Sequence, residues 1–511
     1  MSVPRESVSQ VQGLSVEHVD VLVVGAGLSG IGAACHLKTE CRGKSFAILE
    51  GRSAMGGTWE LFRYPGIRSD SDMYTLGYRF RPWRDAKAIA DGPAILNYIR
   101  ETAEEFGVDK AIRYNHRVRR ASWSSDDARW TVEVETGTEK TIVRLTCNFL
   151  YLCTGYYDYE AGYTPRWPGV ESFRGRIVHP QKWPADLDYA GQRVVVIGSG
   201  ATAITLVPAL AERAGHVTML QRSPSYVLSR PAEDKLANWL RRLLPDSAAY
   251  AVTRWKNVLL GMLFYNLARK QPELFKRMLA RGVRQKLGEE YVAKHFTPRY
   301  NPWDQRLCLV PDSDLFSAIS EGRVSVVTDH IETFTESGLR LKSGEQLDAD
   351  IIVTATGLVL KLMSGLQLLV DGAPVDLSKT MAYKGMMYSD VPNLASAFGY
   401  TNASWTLKCD LTAEYVCRLL NYMDSHGYAQ CTPRANDPSL EEEPILDFTS
   451  GYVQRALHTL PRQGSKTPWR LHQNYVKDLS MMRFGRVDDG TMEFRATPHA
   501  RRAGAEAAEH G

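Results

Sequence analysis

VDVLVVGAGLSG, residues 19–30, decides the fold class. A short β-branched run passes straight into a turn with glycines at 25, 27 and 30, the spacing of a dinucleotide-binding turn. Gly25 permits the tight turn, Gly27 lets a pyrophosphate approach the backbone, and Gly30 lets helix pack on strand. The helix IGAACHLKTE and the strand FAIL follow. The strand ends at Glu50, where an acid accepts hydrogen bonds from ribose hydroxyls. A glycine-rich turn alone is weak; with strand, helix and terminal acid around it, it specifies a nucleotide-binding βαβ unit.

RVVVIGSGATA, residues 193–203, repeats the pattern. Gly198, Ser199 and Gly200 form the turn, Thr202 lies at the head of the helix, and Ala203 stands where a third glycine would pack. The second strand here, HVTMLQR, ends in Arg222 and Ser223 rather than an acid. An acid at that point favours the 2′-hydroxyl of NAD, and a guanidinium accommodates the 2′-phosphate of NADP. The chain thus reads as α/β, with two Rossmann-like dinucleotide-binding domains, one for FAD and one for NADPH. A strand-borne exposed arginine is the plainer reading of Arg222.

Composition narrows the function. At 511 residues the chain divides into two or three domains, and 44% hydrophobic with 23% charged residues is ordinary for a soluble protein. A net charge of +4 implies no nucleic-acid partner. Eight scattered cysteines contain no CxxC pair, and no histidine cluster has metal spacing, so no metal is expected and the thiols read as reduced. Lacking an apolar leader or a run of membrane-spanning length, the sequence reads as cytoplasmic.

The expected organisation is a flexible N-terminus (1–18), the first part of the FAD domain (19–160), the NADP domain (161–345), the rest of the FAD domain with substrate-side loops (346–495), and a flexible tail (496–511). Within the NADP domain, residues 230–299 hold fifteen Lys or Arg against six Asp or Glu, an excess of +9. WLRRLL and WKNVLLGMLFYNLARK in it are amphipathic and helical. This insertion reads as basic helices packed on the NADP-side domain, with an anionic membrane surface or the cap of a substrate channel as alternatives.

A second unusual stretch, GGTWELFRYPGIRSD (56–70), combines paired glycines, a tryptophan, a Tyr-Pro-Gly corner and Asp70. It suggests a loop laid against a flat ligand. Two nucleotide sites with no closely spaced cysteine pair in the first helix exclude a disulfide reductase and leave oxygen, a quinone or a protein as electron acceptor.

Two longer motifs sharpen this. FRGRIVHPQKWP carries Phe173, Gly175, His179, Trp183 and Pro184, which resembles the fingerprint FxGxxxHxxxW(P/D) of Baeyer-Villiger monooxygenases. Gly56, Gly57, Trp59, Tyr64, Pro65, Gly66 and Asp70 match that family's second signature, and YPGIRSDSDMYTLG, NPWDQRLCLVP and GYTNASWTLK are closest to its mycobacterial ethionamide-activating branch. The resemblance runs from about Val19 to about Asp489. It implies an NADPH- and O2-dependent flavin monooxygenase that inserts oxygen into apolar ketones, giving esters or lactones, and that oxidises sulfides or thioamides, in each case through a C4a-peroxyflavin. By resemblance Arg306 supplies the fixed positive charge, Asp70 orients it, and Gly57, Thr58, Trp59 and Val118 join the turn residues around FAD. Read without the motifs, Asp70 is a turn residue and Arg306 a surface partner of Asp304. His179 is assigned to domain coupling, with NADP orientation as the minor reading. Trp405 borders the flavin or substrate, or is a core aromatic. Gln305 departs from the family's lysine before the catalytic arginine. Competing readings are an N- or S-oxygenating flavin monooxygenase, against which Trp183 and Pro184 speak, and a membrane-surface flavoprotein acting as a binding or sensing module.

Overall fold

The computed structural model of the chain describes residues 16–305, 307–446 and 448–496. Strand β1 (Glu17–Val24), helix α1 (Leu28–Glu40) and strand β2 (Phe46–Leu49) form the expected unit, with β1 parallel to β2. Order reaches back to Glu17, two residues before Val19, because Glu17 and His18 already pair with Leu145 and Thr146 of a neighbouring strand. At the other end Ala496, placed in the flexible tail, closes a strand and pairs with Tyr428, and residues 1–15 and 497–511 lie outside the described residues.

Short helices α2 (Thr58–Leu61) and α3 (Met73–Leu76) and the longer α4 (Gly92–Glu105) lead to β3 (Ile112–Arg113), β4 (His116–Ser124), β5 (Arg129–Thr136) and β6 (Thr141–Leu152). Strands β3, β2, β1 and β6 lie side by side in parallel, and Leu394–Ser396 adds a fifth parallel strand against the end of β6. β4 and β5 continue the sheet as an antiparallel meander, in which Trp130, Val132 and Val134 are buried on one face.

The second unit comprises β7 (Arg176–Val178), β8 (Arg193–Ile197), α5 (Ala201–Leu210) and β9 (His216–Gln221). Next come β10 (Val227–Arg230) and four helices, α6 (Lys235–Leu243), α7 (Asp246–Lys270), α8 (Pro272–Leu287) and α9 (Glu289–His295). β11 (Cys308–Pro311) pairs with β10, and α10 (Asp314–Ser320) and β12 (Val324–Thr328) complete the crossover. A small antiparallel sheet, β13–β15 (Ile331–Thr335, Gly338–Leu341, Gln346–Asp348), precedes β16 (Ile351–Thr354). The second sheet is wholly parallel in the order β12-β9-β8-β16-β7.

The two parallel cores share a plan. In each, the strand leading into the glycine turn is central, and the strand beside it ends in a short glycine motif, Cys153-Thr154-Gly155 or Ala355-Thr356-Gly357. That neighbour explains the first glycine of each turn. A Cβ on Gly25 would stand 2.5 Å from the carbonyl oxygen of Cys153, and one on Gly198 2.2 Å from that of Ala355. Both have positive φ, +105° and +138°.

This arrangement corrects the expected boundary at 345. Ile351–Thr354, four buried residues, pair with Val194–Ile197 in the second sheet, so the chain returns to the first domain only after Gly357. A continuous apolar run is what a strand buried on both faces requires. The two crossings lie side by side: Tyr163 N–H donates to Gly357 O (3.0 Å), Asp158 N–H to Val359 O (2.8 Å) and Lys361 N–H to Tyr156 O (2.9 Å). Beyond them β17 (Gln367–Val370) and β18 (Ala373–Pro374) extend the edge of β4.

Helix α11 (Trp405–Ser425) begins six residues before the expected start at Leu411 and is buried on nearly every side. It lies against α1. Between them His36 is buried, with Nδ1 2.8 Å from Glu40 and Nε2 3.7 Å from Asp410. Burial alone would lower the imidazole pKa, but the two carboxylates outweigh it and push it up to about 9 from 6.5. A raised folded-state pKa stabilises fully below the unfolded value and loses that contribution as pH climbs through the folded one. Thermal stability should therefore decline between pH 6.5 and about 9, and His36→Gln should flatten that decline in a pH series of melting curves.

The basic insertion is also corrected. It does not pack on the NADP-side domain alone. Ala237, Tyr250 and Val258 of α6 and α7 belong to the first-domain core, while Val283 and Val292 of α8 and α9 belong to the second.

Candidate active site

Residues 56–70 strap the two cores together. Gly56 donates its N–H to Ala26 O (2.9 Å), which ties the stretch to the first turn. Gly57, at φ +56°, faces Gly27: a Cβ on Gly57 would lie 3.0 Å from the Gly27 Cα, so the two turns leave a slot lined by backbone. Trp59 then packs against the first core. Phe62 and Tyr64 cross to the second core, and burial pushes the Tyr64 hydroxyl up to about 12 although Thr202 hydrogen-bonds to it. The Pro65-Gly66 corner docks on α5, where a Cβ on Gly66 would meet Ala209 at 2.6 Å and Thr205 O at 2.9 Å. Arg68 is paired with Asp314 of α10 at 2.5 Å, which pins the end of the strap just before Asp70.

The first turn opens on a cleft suited to a dinucleotide. Glu50 is buried and accepts from Ala26 N–H (2.8 Å) and Arg52 N–H (2.9 Å). Burial raises its carboxyl pKa in spite of these amides. Gly25, Gly27, Glu50, Gly57 and Val118 line a cavity of about 150 Å³ beside it. Thr58, Trp59, Asp70, Thr202 and Trp405 line a continuing cavity of about 270 Å³, which shares Gly27 and Gly57 with the first. Gly30 is buried in α1, where a Cβ would collide with Gly25 O. Trp405 borders this cleft: its indole N–H donates to Ser29 Oγ (2.8 Å) and its ring stacks on Tyr156 at 5.0 Å. The first turn of α11 has no side-chain cap, since Ser404 Oγ is engaged with Thr75 Oγ1 at 2.6 Å.

The second turn has the same geometry. Space beside Gly200 is open, with no atom within 4 Å of a Cβ placed there, as a phosphate approaching the backbone requires. Ser199 Oγ donates to Ser223 O (3.2 Å), linking turn to strand end. Ala203 is buried where the third glycine would be. Arg222 and Ser223 are exposed at the end of β9, the position Glu50 occupies after β2.

Asp70 stands where two cavities meet. It lines the cleft just described and also a cavity of about 380 Å³ whose walls are apolar at Leu228, Phe264 and Leu407 and polar at Arg230, Asn257 and Lys477. Arg306 lies outside the described residues. Leu307, next to it in sequence, lines the larger cavity with Asp70. The carboxylate of Asp304 is held by Arg269 at 2.7 Å.

The fingerprint segment surrounds the two crossings rather than the cavities. His179 donates from Nε2 to Gly357 O (3.3 Å) and accepts at Nδ1 from Gln181 N–H (3.2 Å). Burial lowers its pKa more than the Gly357 bond raises it. A Cβ on Gly162 would strike its ring, and Gln181 Nε2 donates to Asp158 O at 2.7 Å. Gly175 comes close to Asp350 O, Phe173 packs edge-on to Phe334, and Trp183 meets Tyr189 edge-on. Pro184 accepts from Leu187 N–H at 3.3 Å.

Sequence reasoning passed over several residues that the structure brings to these clefts. Tyr156, Tyr157 and Tyr159 follow directly after Cys153-Thr154-Gly155 and line the first-turn cleft; the dense run YYDY beside a glycine exit was the available signal. Asn257, Val258 and Tyr265 from the insertion wall the large cavity.

Comparison with known proteins agrees with this geometry. The model of the family described as flavin-binding monooxygenase-like matches residues 85–364, and that of an NAD(P)-binding Rossmann-like domain matches residues 23–88. The chain is 56% identical over 484 residues to the FAD-containing monooxygenase EthA of Mycobacterium tuberculosis (strain ATCC 25618 / H37Rv), covering 94% of this chain and 99% of that protein. It is 53% identical over 488 residues to the putative FAD-containing monooxygenase MymA of the same organism, covering 94% and 98%. Among solved structures, an oxidized steroid monooxygenase bound to NADP superposes with a TM-score of 0.72 at 22% identity, over 94% of this chain and 100% of that one, a likeness of fold. With a family model spanning more than half its length and relatives of this identity along nearly all of it, the chain belongs to the flavin-binding monooxygenase-like family.

Proposed function

We propose that the protein is an FAD-containing, NADPH-dependent Baeyer-Villiger monooxygenase that converts apolar ketones to esters or lactones and also oxidises sulfides or thioamides. The observation that carries this reading is the position of Asp70, in the common wall of a dinucleotide cleft and a second, larger cavity whose walls mix apolar and polar side chains. Glu50 would hold the ribose of FAD, with Gly25, Gly27 and Gly57 against its pyrophosphate and Trp59 and Trp405 along its length. FAD supplies the reduction by NADPH and the activation of oxygen. The protein's own part is to bind the ketone away from bulk water, to supply a fixed cation, the role that the family resemblance gives to Arg306 with Asp70 as its carboxylate, and to hold the domains in register. The His179–Gln181 clamp on both crossings supports domain coupling as the work of the fingerprint.

Turnover of a linear apolar ketone by the holoenzyme with NADPH under 18O2 should place one labelled atom in the ester. Ester without label, or no ester, would overturn the assignment.

Arg222 and Ser223 would meet the 2′-phosphate of NADPH. A hydrogen bond to a charged group contributes roughly 1.5–3 kcal/mol, so Arg222→Ala should lower the NADPH:NADH ratio of kcat/KM by about 10- to 100-fold. With Gln305 in place of a second cation, little would remain to restore it, and an unchanged ratio would remove Arg222 from the phosphate site.

A further inference from the structure

Helix α7 has two faces of different chemistry. Asn257, Val258, Gly261, Phe264 and Tyr265 line the large cavity. On the opposite side of the helical wheel, Trp255, Leu259 and Leu263 follow one another at four-residue steps and are exposed. Helix α6 beside it presents Leu236, Trp239 and Leu243 at helical spacing, 47–61% exposed. Of the seventeen large hydrophobic side chains exposed among the described residues, eleven fall between Lys235 and Leu287. An apolar surface concentrated this way on three consecutive helices marks an interaction site.

Its charge identifies what covers it. Four of the six acids of residues 230–299 are already paired: Asp234 with Lys256, Asp246 with Arg84, Glu273 with Lys276 and Glu289 with Arg284. Lys235, Arg242, Lys270, Arg277 and Arg281 are exposed on the same helices, and no ion pair is recorded for them among the described residues. A second copy of the chain meeting this surface across a two-fold axis would bring two basic patches together. No helix among the described residues is long and apolar enough to cross a membrane. Exposed Trp and Leu with unpaired cations around them fit a helix lying in the headgroup layer of an anionic bilayer.

We propose that α6, α7 and α8 dock the protein on the surface of an anionic lipid bilayer, so that α7 separates the bilayer from the large cavity. The docking stands apart from the chemistry. Only its consequence, that lipophilic substrate passes from bilayer to cavity beside α7, rests on the monooxygenase reading.

The test is flotation of the yellow holoenzyme with vesicles of phosphatidylcholine alone and of phosphatidylcholine mixed with phosphatidylglycerol. Binding should be at least ~10-fold stronger to the anionic vesicles and should weaken with salt. Trp239→Glu/Trp255→Glu/Leu263→Glu should lose ~10-fold or more of it, while turnover of a water-soluble ketone is unchanged, since none of the three lines a cavity. Arg242→Glu/Lys270→Glu/Arg277→Glu should lose the preference for anionic vesicles. Wild type floating no better than the apolar triple variant would overturn the proposal. So would a wild-type dimer that the triple variant abolishes, without vesicle binding. Flotation without ketone oxidation would sustain the docking and sink the reaction assignment instead.

Discussion

Arg306→Ala should give a folded, yellow protein that still oxidises NADPH but forms ester about 10²- to 10³-fold more slowly, the usual cost of removing a preorganised charge-stabilising donor. The missing product should reappear as hydrogen peroxide, because NADPH, a proton and O2 balance to NADP+ and H2O2 when oxygen is not transferred. Arginine suits the role because it stays protonated and presents a rigid fork of donors, so Arg306→Lys should restore charge but recover only part of the ester yield. The cavity that Leu307 and Asp70 share has apolar walls at Leu228, Phe264, Leu309 and Leu407 beside polar ones at Asn257, Thr401 and Gln473, which suits a substrate with an apolar body and one polar group. Asp70→Asn should shift the same ratio of ester to peroxide in the same direction. Oxygen uptake with and without catalase, set against ester yield, measures the partition. An unchanged partition in Arg306→Ala would refute the assignment.

The double nucleotide-binding plan was legible because it rests on local rules. Gly25 and Gly198 are imposed by carbonyls one strand away, and the apolar periodicity of their strands is contiguous in sequence. What the sequence did not disclose were partners. Phe62 and Tyr64 read as buried, yet nothing local says that they bury themselves in the second core while Trp59, three residues before Phe62, serves the first. Ile351–Thr354 satisfies either sheet by composition; its register against Val194–Ile197 decides the matter. His179 was legible as a fingerprint residue, but its bond to Gly357 O, and that of Gln181 to Asp158 O, depend on segments that meet only after both sheets have formed. The insertion was recognisable by charge and amphipathicity. Its hold on the first domain was not, because the residues that make it, among them one buried cation, meet their partners only in the folded chain.

That cation is Arg254, and Arg254→Ala should be the most destabilising single substitution in the insertion. Arg254 is 5% exposed, in the middle of α7. Its Nη1 donates to Tyr74 O and Gly77 O, each at 2.8 Å, and Nη2 to Asp410 Oδ2 at 3.3 Å. The first two bonds close the carbonyls at the end of α3, two turns past Asp70, and the third reaches α11. Asp410 is itself buried and also accepts from Arg79 N–H at 2.9 Å. Truncating the guanidinium would leave a carboxylate and two carbonyls without their charged donor in a dry setting. Breaking a buried ion pair from one side costs about 3–5 kcal/mol, a large share of the roughly 5–15 kcal/mol that holds a domain folded. The melting temperature should fall on the order of 10 °C. Because α7 walls the cavity on the side opposite its exposed stripe, loosening its anchor should also raise KM for a bulky ketone more than it lowers kcat. Arg254→Ala/Asp410→Asn should lose less than the sum of the two single losses, a departure from additivity that only coupled residues show in a double-mutant cycle. Melting curves for the four proteins of that cycle decide it: additive losses, or an Arg254→Ala protein that melts with the parent, would mean that α7 is held to the first domain by its apolar contacts alone.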